Sequence, residues 1–230
     1  MLKKNDFVEI EYTGKTKEDG FIFDTTDEKT AKENGIHNQK ATYGAVPVCI
    51  GQGQILPGLD DIIQGKEVGK EFTAEIPAEK AFGKKDPKMI QLIATSKFKK
   101  ANINPTPGMQ VNIDNQMGII KTVSGGRTLV DFNHPLSGKD MVYTVKPTKI
   151  IEDNVRKVQL LVSVMLQIDE PKVTIEGEKA IVSLQFDMPE QVTEVINKKI
   201  LEIVPAVKEI TYNNTKNPAK AQPQKEKAEE

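Results

Sequence analysis

The run Gly51-Gln-Gly-Gln-Ile-Leu-Pro-Gly-Leu-Asp-Asp-Ile-Ile63 constrains this chain more than any other stretch. It sets two adjacent apolar residues, Ile55 and Leu56, in a glycine-bounded turn, with a brief helix expected from Leu59 to Gln64 and ended at Gly65. The backbone N–H groups at the start of a helix have no intrahelical partner. Apolar side chains beside free donors make a dry slot that can still grip a carbonyl, which suits an extended, proline-containing peptide.

Around this turn the pattern predicts short strands. Residues 7–12 alternate apolar and charged, placing Val8, Ile10 and Tyr12 on one face of a half-buried strand. Phe21–Phe23, Val46–Ile50, Glu71–Ile76 and Met141–Val145, the last extended past Pro147 to Ile151, complete a small α+β unit. Residues 25–45 carry little apolar pattern and read as a surface excursion longer than most loops. Between Gly83 and Asp140 four further short strands with Gly-rich turns predict a separate β module, inserted at residues 84–138. Residues 152–213 predict an α-β-β-α-β module. A helix follows Glu152-Asp-Asn154, a hairpin turns at Glu176-Gly177, and a second helix opens at Pro189 before a last strand at Val207–Tyr212. A unit of that size is marginal alone, so self-association as a homodimer is expected to cover it. Residues 214–230 contain no large apolar residue and are expected to be disordered.

Composition excludes much chemistry. Hydrophobic residues make up 37 % of the 230, enough for packed cores, and the net charge of −1 argues for neither a nucleic acid nor a membrane surface. No apolar run approaches a membrane span, and no secretory leader follows Met1. The single cysteine, Cys49, cannot form an internal disulfide; it fits a reducing cytoplasm and reads as a small core hydrophobe. The two histidines are far apart, with no cysteine pair or phosphate loop, so no metal site and no cofactor are expected. An enzyme built from this inventory performs a reaction that needs no strong acid, base or metal.

The ordered set Val8-Glu-Ile-Glu-Tyr-Thr-Gly14, Asp19-Gly20, Phe23-Asp24-Thr25, Gly51–Leu59 and Ala81-Phe-Gly83 resembles the FKBP-type peptidyl-prolyl cis–trans isomerases. Asn133-His-Pro-Leu-Ser-Gly138 followed by Asp140–Val145 resembles the SlyD-like branch, whose flap carries an inserted domain, and the C-terminal segment resembles that of its long archaeal members. The resemblance implies an isomerase domain at 1–83 and 139–151, a sheet wrapped on a short helix, with the insert acting as a folding chaperone. Its clients are unfolded or proline-containing polypeptides.

Carried over residue by residue, the resemblance makes Tyr12, Phe23, Leu56, Leu59, Phe82 and Tyr143 walls of a proline pocket. Asp24, oriented by the Tyr12 hydroxyl, sits at its edge, and the Ile55 N–H binds a substrate carbonyl. Gln54 and Ala81 line the rim with Val46 and Val48. In the insert, Met89, Ile90, Leu92, Ile93, Met117, Ile119 and Ile120 divide between a closed core and a groove for unfolded chains. Leu59 stands where many single-domain members have Trp, and no His-rich tail is present, so nickel binding is not carried over. Without the motif order, the four aromatics read as core residues and Asp24 as a turn former. The rival reading is a holdase or peptide-binding module without catalysis.

Overall fold

A computed structural model describes residues 1–216. The elements in chain order are β1 (Phe7–Thr16), β2 (Ile22–Thr25), α1 (Glu28–Glu33), β3 (Val46–Cys49), α2 (Pro57–Ile63), β4 (Phe72–Ile76), β5 (Ile90–Ala94), α3 (Thr95–Lys100), β6 (Gln110–Ile113), β7 (Gln116–Ser124), β8 (Arg127–Asp131), β9 (Met141–Ile150), α4 (Asn154–Leu166), β10 (Lys172–Glu176), β11 (Lys179–Leu184), α5 (Glu190–Ile203) and β12 (Glu209–Asn214). Short 3-10 turns occupy Ala78–Lys80 and Pro87–Met89. No described helix is long and apolar enough to cross a membrane.

The first of three sheets is antiparallel. β2 and β3 lie end to end along one edge of β1, while β9 and then β4 extend the other. β9 therefore lies at the centre of this sheet although residues 77–140 separate it from β4, so the intervening chain leaves and re-enters one sheet. The even positions of β1 face α2: Val8 and Ile10 are fully buried with Val48, Ile50, Leu59, Ile63, Ala74, Ile76, Met141, Tyr143 and Val145. Each buried Val, Leu, Ile or Met among them contributes about 1.5–3 kcal/mol of hydrophobic stabilisation. Helix α2 approaches β4 closely because Gly58 faces it; a Cβ there would lie 2.4 Å from Ile76 Cγ2.

Within 25–45 the structure differs from the expected loop. Asp27 caps α1 by accepting the Lys29 and Thr30 N–H groups, and Ala31 is the one helical residue it buries. With a single apolar contact, the segment has no helical stripe to reveal it.

The second sheet has the order β5-β8-β7-β6 and carries α3 as well, an addition to the expected strands. Phe98 of α3 closes the core formed by Val111, Ile120, Val130 and Phe132.

The third sheet, β10-β11-β12, pairs β11 with β12 in parallel, so α5 serves as the crossover between them. Asp153 caps α4 through the Val155 N–H at 3.0 Å. The buried core of this unit also takes in Phe7, Cys49 and Ile151 from the first sheet, so the two units share apolar surface. Asn214 ends β12 and the Thr215 N–H donates to the Leu184 carbonyl at 2.8 Å, which corrects the expected start of the disordered tail. The rest of that expectation, from 217 onward, lies outside the described residues.

Candidate active site

Four segments separated in sequence bring their aromatic rings together on the α2 side of the first sheet. Tyr12 stands on β1, Phe23 on β2, Tyr143 on β9, and Phe82 on the turn that follows Ala78–Lys80. The Phe23 ring meets Phe82 edge-on, centroids 5.6 Å apart at 83°, and meets Tyr143 at 5.9 Å and 78°. Tyr12 lies tilted against Tyr143 at 5.8 Å. The two Phe23 contacts are the edge-to-face arrangements that aromatic quadrupoles favour. Tyr143 is buried, while Tyr12, Phe23 and Phe82 each keep part of their surface in solvent, so the set is a cleft wall with one side accessible.

Gly14 makes this convergence possible. It pairs with Tyr143 on one side and Asp24 on the other, and a Cβ there would stand 2.8 Å from Tyr143 Cε1 and Cζ and 3.0 Å from Phe23 Cζ. The glycine appears in the quoted motif, but the reason for it is visible only once the three strands are registered.

The polar edge is a hydrogen bond: the Tyr12 hydroxyl donates to Asp24 Oδ2 at 2.9 Å. Tyr12 is held from behind, since its N–H donates to Thr26 Oγ1 and its carbonyl accepts the Thr26 N–H, both at 2.9 Å. Burial, reinforced by the Asp24 charge, holds both the Tyr12 and the Tyr143 hydroxyls well above the ordinary tyrosine range. Both are neutral donors at physiological pH.

The turn ahead of α2 supplies the backbone donor. Leu56 occupies the N-cap position without a side-chain cap, and among the described residues the Ile55 N–H has no intrachain acceptor. Asp60, buried on α2, braces this turn by accepting the Gly51 N–H at 2.7 Å and the Gly53 N–H at 3.0 Å. Sequence reading missed Asp60; a lone carboxylate in the first turn of a helix looks like one that faces water.

The remaining expected wall and rim residues divide. Leu56 and Ala81 are half-buried against the core beside the rings, and Leu59 lies beneath them, 2 % exposed. Val48 is core, while Val46 is exposed at the start of β3. Gln54 turns back, its Oε1 accepting the Cys49 N–H at 2.7 Å, so its side chain braces the turn and does not line the rim. Cys49 itself is buried, which pushes its thiol up to about 12 and removes it as a nucleophile. No group of three or more candidate metal ligands exists among the described residues. A separate recess of about 530 Å³ is lined by Glu11, Thr13, Thr30, Tyr43, Glu71 and Lys146 among others, and it touches the aromatic cleft at Tyr12.

In the insert, strand parity sorts the expected groove residues. Ile120 is fully buried on the inner face, and Met89 and Ile93 pack against the same core, so Ile120 is corrected from a groove to a core position. Ile90 and Leu92 on β5, and Met117 and Ile119 on β7, take the opposite parity. Leu92 and Met117 are 56 % and 60 % exposed. Leu129, paired with Leu92, joins this outward face and was not anticipated.

Comparison with known proteins fits this geometry. A family profile described as "FKBP-type peptidyl-prolyl cis-trans isomerase" matches residues 1–99, and one described as "FKBP26, IF domain" matches residues 91–136. A short-type peptidyl-prolyl cis-trans isomerase of Methanocaldococcus jannaschii is 34 % identical over 146 residues, spanning 64 % of this chain and 92 % of that protein. The chain belongs to the FKBP-type peptidyl-prolyl cis–trans isomerase family. Further FKBP-type relatives include a probable 16 kDa isomerase of Pseudomonas fluorescens, 31 % identical over 50 % of this chain and 79 % of its own length. The isomerase SlyD of Treponema pallidum is 28 % identical over 63 % of this chain and 76 % of its own length. The second profile falls on the β5–β8 sheet, between β4 and β9, where an insertion into the flap of an FKBP-type sheet belongs.

Proposed function

We propose that the aromatic cleft is the site at which this FKBP-type isomerase turns X–Pro bonds, in a cytoplasmic chaperone of the long archaeal type with clients among unfolded and proline-containing polypeptides. The observation that carries this is the Tyr12–Asp24 hydrogen bond at the edge of a partly accessible ring set built from four distant segments. Rotation about a prolyl amide faces about 18–20 kcal/mol because the twisted bond loses resonance. Water stabilises the planar, charge-separated amide more than the twisted one. Moving the bond against Phe23, Leu59, Phe82 and Tyr143 removes that advantage, while the Ile55 N–H fixes a neighbouring substrate carbonyl and Asp24 faces the twisting one. A barrier lowered by about 5 kcal/mol accelerates exchange several thousand-fold.

A protease-free assay of prolyl exchange on the full chain tests this. Phe82→Ala should lower kcat/KM roughly tenfold, or about 1.4 kcal/mol, and Asp24→Ala several-fold. Unchanged rates in both would favour the non-catalytic holdase.

The insert supports the chaperone half of the reading. Ile90, Leu92, Met117, Ile119 and Leu129 form an outward apolar face of the insert sheet, and flexible methionine suits varied partners. A chain held there presents its prolyl bonds at raised effective concentration. The C-terminal unit is proposed to join two copies: Val192 and Val195 lie one turn apart on α5, 39 % and 63 % exposed, with Phe186 just ahead of the helix. Light scattering on the full chain should give a dimer mass that Val195→Glu reduces to a monomer. A monomer mass for the unsubstituted chain would remove the proposal.

A further inference from the structure

Phe82 lies on a turn, not on a strand or helix, and it is only partly buried against the core, so strand pairing does not fix the orientation of its ring. Gly83, which follows it, takes a positive φ of 77°. Two ring contacts set it. Phe23 meets it edge-on, and the imidazole of His134 lies flat against it, centroids 4.9 Å apart and planes within 5°.

His134 is itself held by its own turn. The Leu136 N–H donates to His134 Nδ1 at 3.3 Å, and the His134 carbonyl accepts the Ser137 N–H at 2.9 Å. The same short segment then grips the backbone of the Phe82 turn. Ser137 Oγ donates to the Phe82 carbonyl at 3.1 Å, and the Gly138 N–H donates to the Gly83 carbonyl at 2.8 Å. At its start, Asn133 ties the return to the outgoing chain: its Oδ1 accepts the Asp86 N–H at 2.8 Å and its Nδ2 donates to the Asp86 carbonyl at 3.1 Å. Ring face and carbonyl of Phe82 are thus both held from the segment by which the chain returns from the insert to β9.

We propose that His134 is a positioning residue for prolyl isomerisation, setting the Phe82 ring upright between itself and Phe23. This rests on the cleft being the isomerase site. A flat aromatic contact is worth enough to bias one ring orientation, and losing it lets Phe82 swing over the space the proline ring occupies. The insert's return therefore forms the outer wall of the cleft, a role that an isolated reading of the insert as a client-binding module does not assign to it.

The test uses the full chain in the protease-free assay, with thermal unfolding measured alongside. His134→Ala should lower kcat/KM about threefold to tenfold, the range that a contact of this kind spans, with Tm nearly unchanged. His134→Phe, which restores a flat ring without the imidazole nitrogens, should recover most of the loss. In a Phe82→Ala background His134→Ala should add nothing, because the residue acts through that ring. A His134→Ala variant as fast as the unsubstituted protein, while Phe82→Ala is slow, overturns the positioning role and leaves the cleft standing. A loss that persists in the Phe82→Ala background, or that His134→Phe does not rescue, also overturns it. If Phe82→Ala alone is without effect, the positioning role fails; if Asp24→Ala is without effect as well, the cleft reading fails with it.

Discussion

Gly14→Ala should lower kcat/KM about 100-fold while leaving the protein folded. The added methyl would meet Tyr143 Cε1 and Cζ at 2.8 Å, closer than a Cβ approaches its neighbours in folded proteins, and Phe23 Cζ at 3.0 Å, at the tight limit of such contacts. β1 cannot retreat, because it is paired along both edges, to β2 and β3 on one side and β9 on the other. The rings must yield instead. Tyr143 is 4 % exposed and hemmed in by the core, so its movement is passed to Tyr12 and Phe23, both of which touch it. A displacement of about 1 Å in a catalytic group can cost two orders of magnitude in rate. Overpacking of this kind costs about 1–3 kcal/mol in stability, less than a typical domain's margin of about 5–15 kcal/mol. Circular dichroism should therefore show a native spectrum with a lowered Tm. A variant within threefold of the unsubstituted rate would show that the rings give way without closing the cleft.

The strand pattern of the first sheet is legible in the sequence because alternation maps directly onto a half-buried strand: Val8, Ile10 and Tyr12 were placed on one face, and they share it. The two helices of the C-terminal unit are legible for the same reason, since Val158, Leu161 and Val162, then Ile196, Ile200 and Ile203, repeat at helical spacing and are buried. Helices α1 and α3 are not. α1 buries only Ala31 and α3 only Phe98, so neither has a stripe to read, and α1 is announced mainly by the Asp27 cap. Within the site, the aromatic residues could be named from motif order, but what holds them could not. Gly14, Asp60 and His134 act through register, a brace and a stack that join residues distant in sequence or hidden in a turn. Gln54 shows the converse. A residue beside the binding turn looks like rim until its side chain is seen bonded to the Cys49 backbone.

Phe7 opens a strand, yet it also carries the junction between two units. It lies on the face of β1 opposite Val8, is 1 % exposed, and belongs to the core of the C-terminal unit together with Cys49 and Ile151. Lys157 on α4 places its ammonium 5.9 Å over the ring, and the Phe7 carbonyl accepts the Ile151 N–H at 2.8 Å. Phe7→Ala should cost about 3–5 kcal/mol, the range for deleting a buried phenyl ring without a neighbour able to collapse into the space. α4 and α5 hold most of the helical residues, so helix melting followed by circular dichroism reports mainly on the C-terminal unit. Its midpoint should fall by roughly 10 °C. At temperatures below that transition, kcat/KM should stay within about twofold of the unsubstituted protein, because the cavity opens on the face of the sheet away from Tyr12, Phe23 and Tyr143. An unchanged midpoint would mean that the C-terminal unit does not depend on this contact, and a parallel loss of rate would mean that the two faces of β1 are mechanically linked.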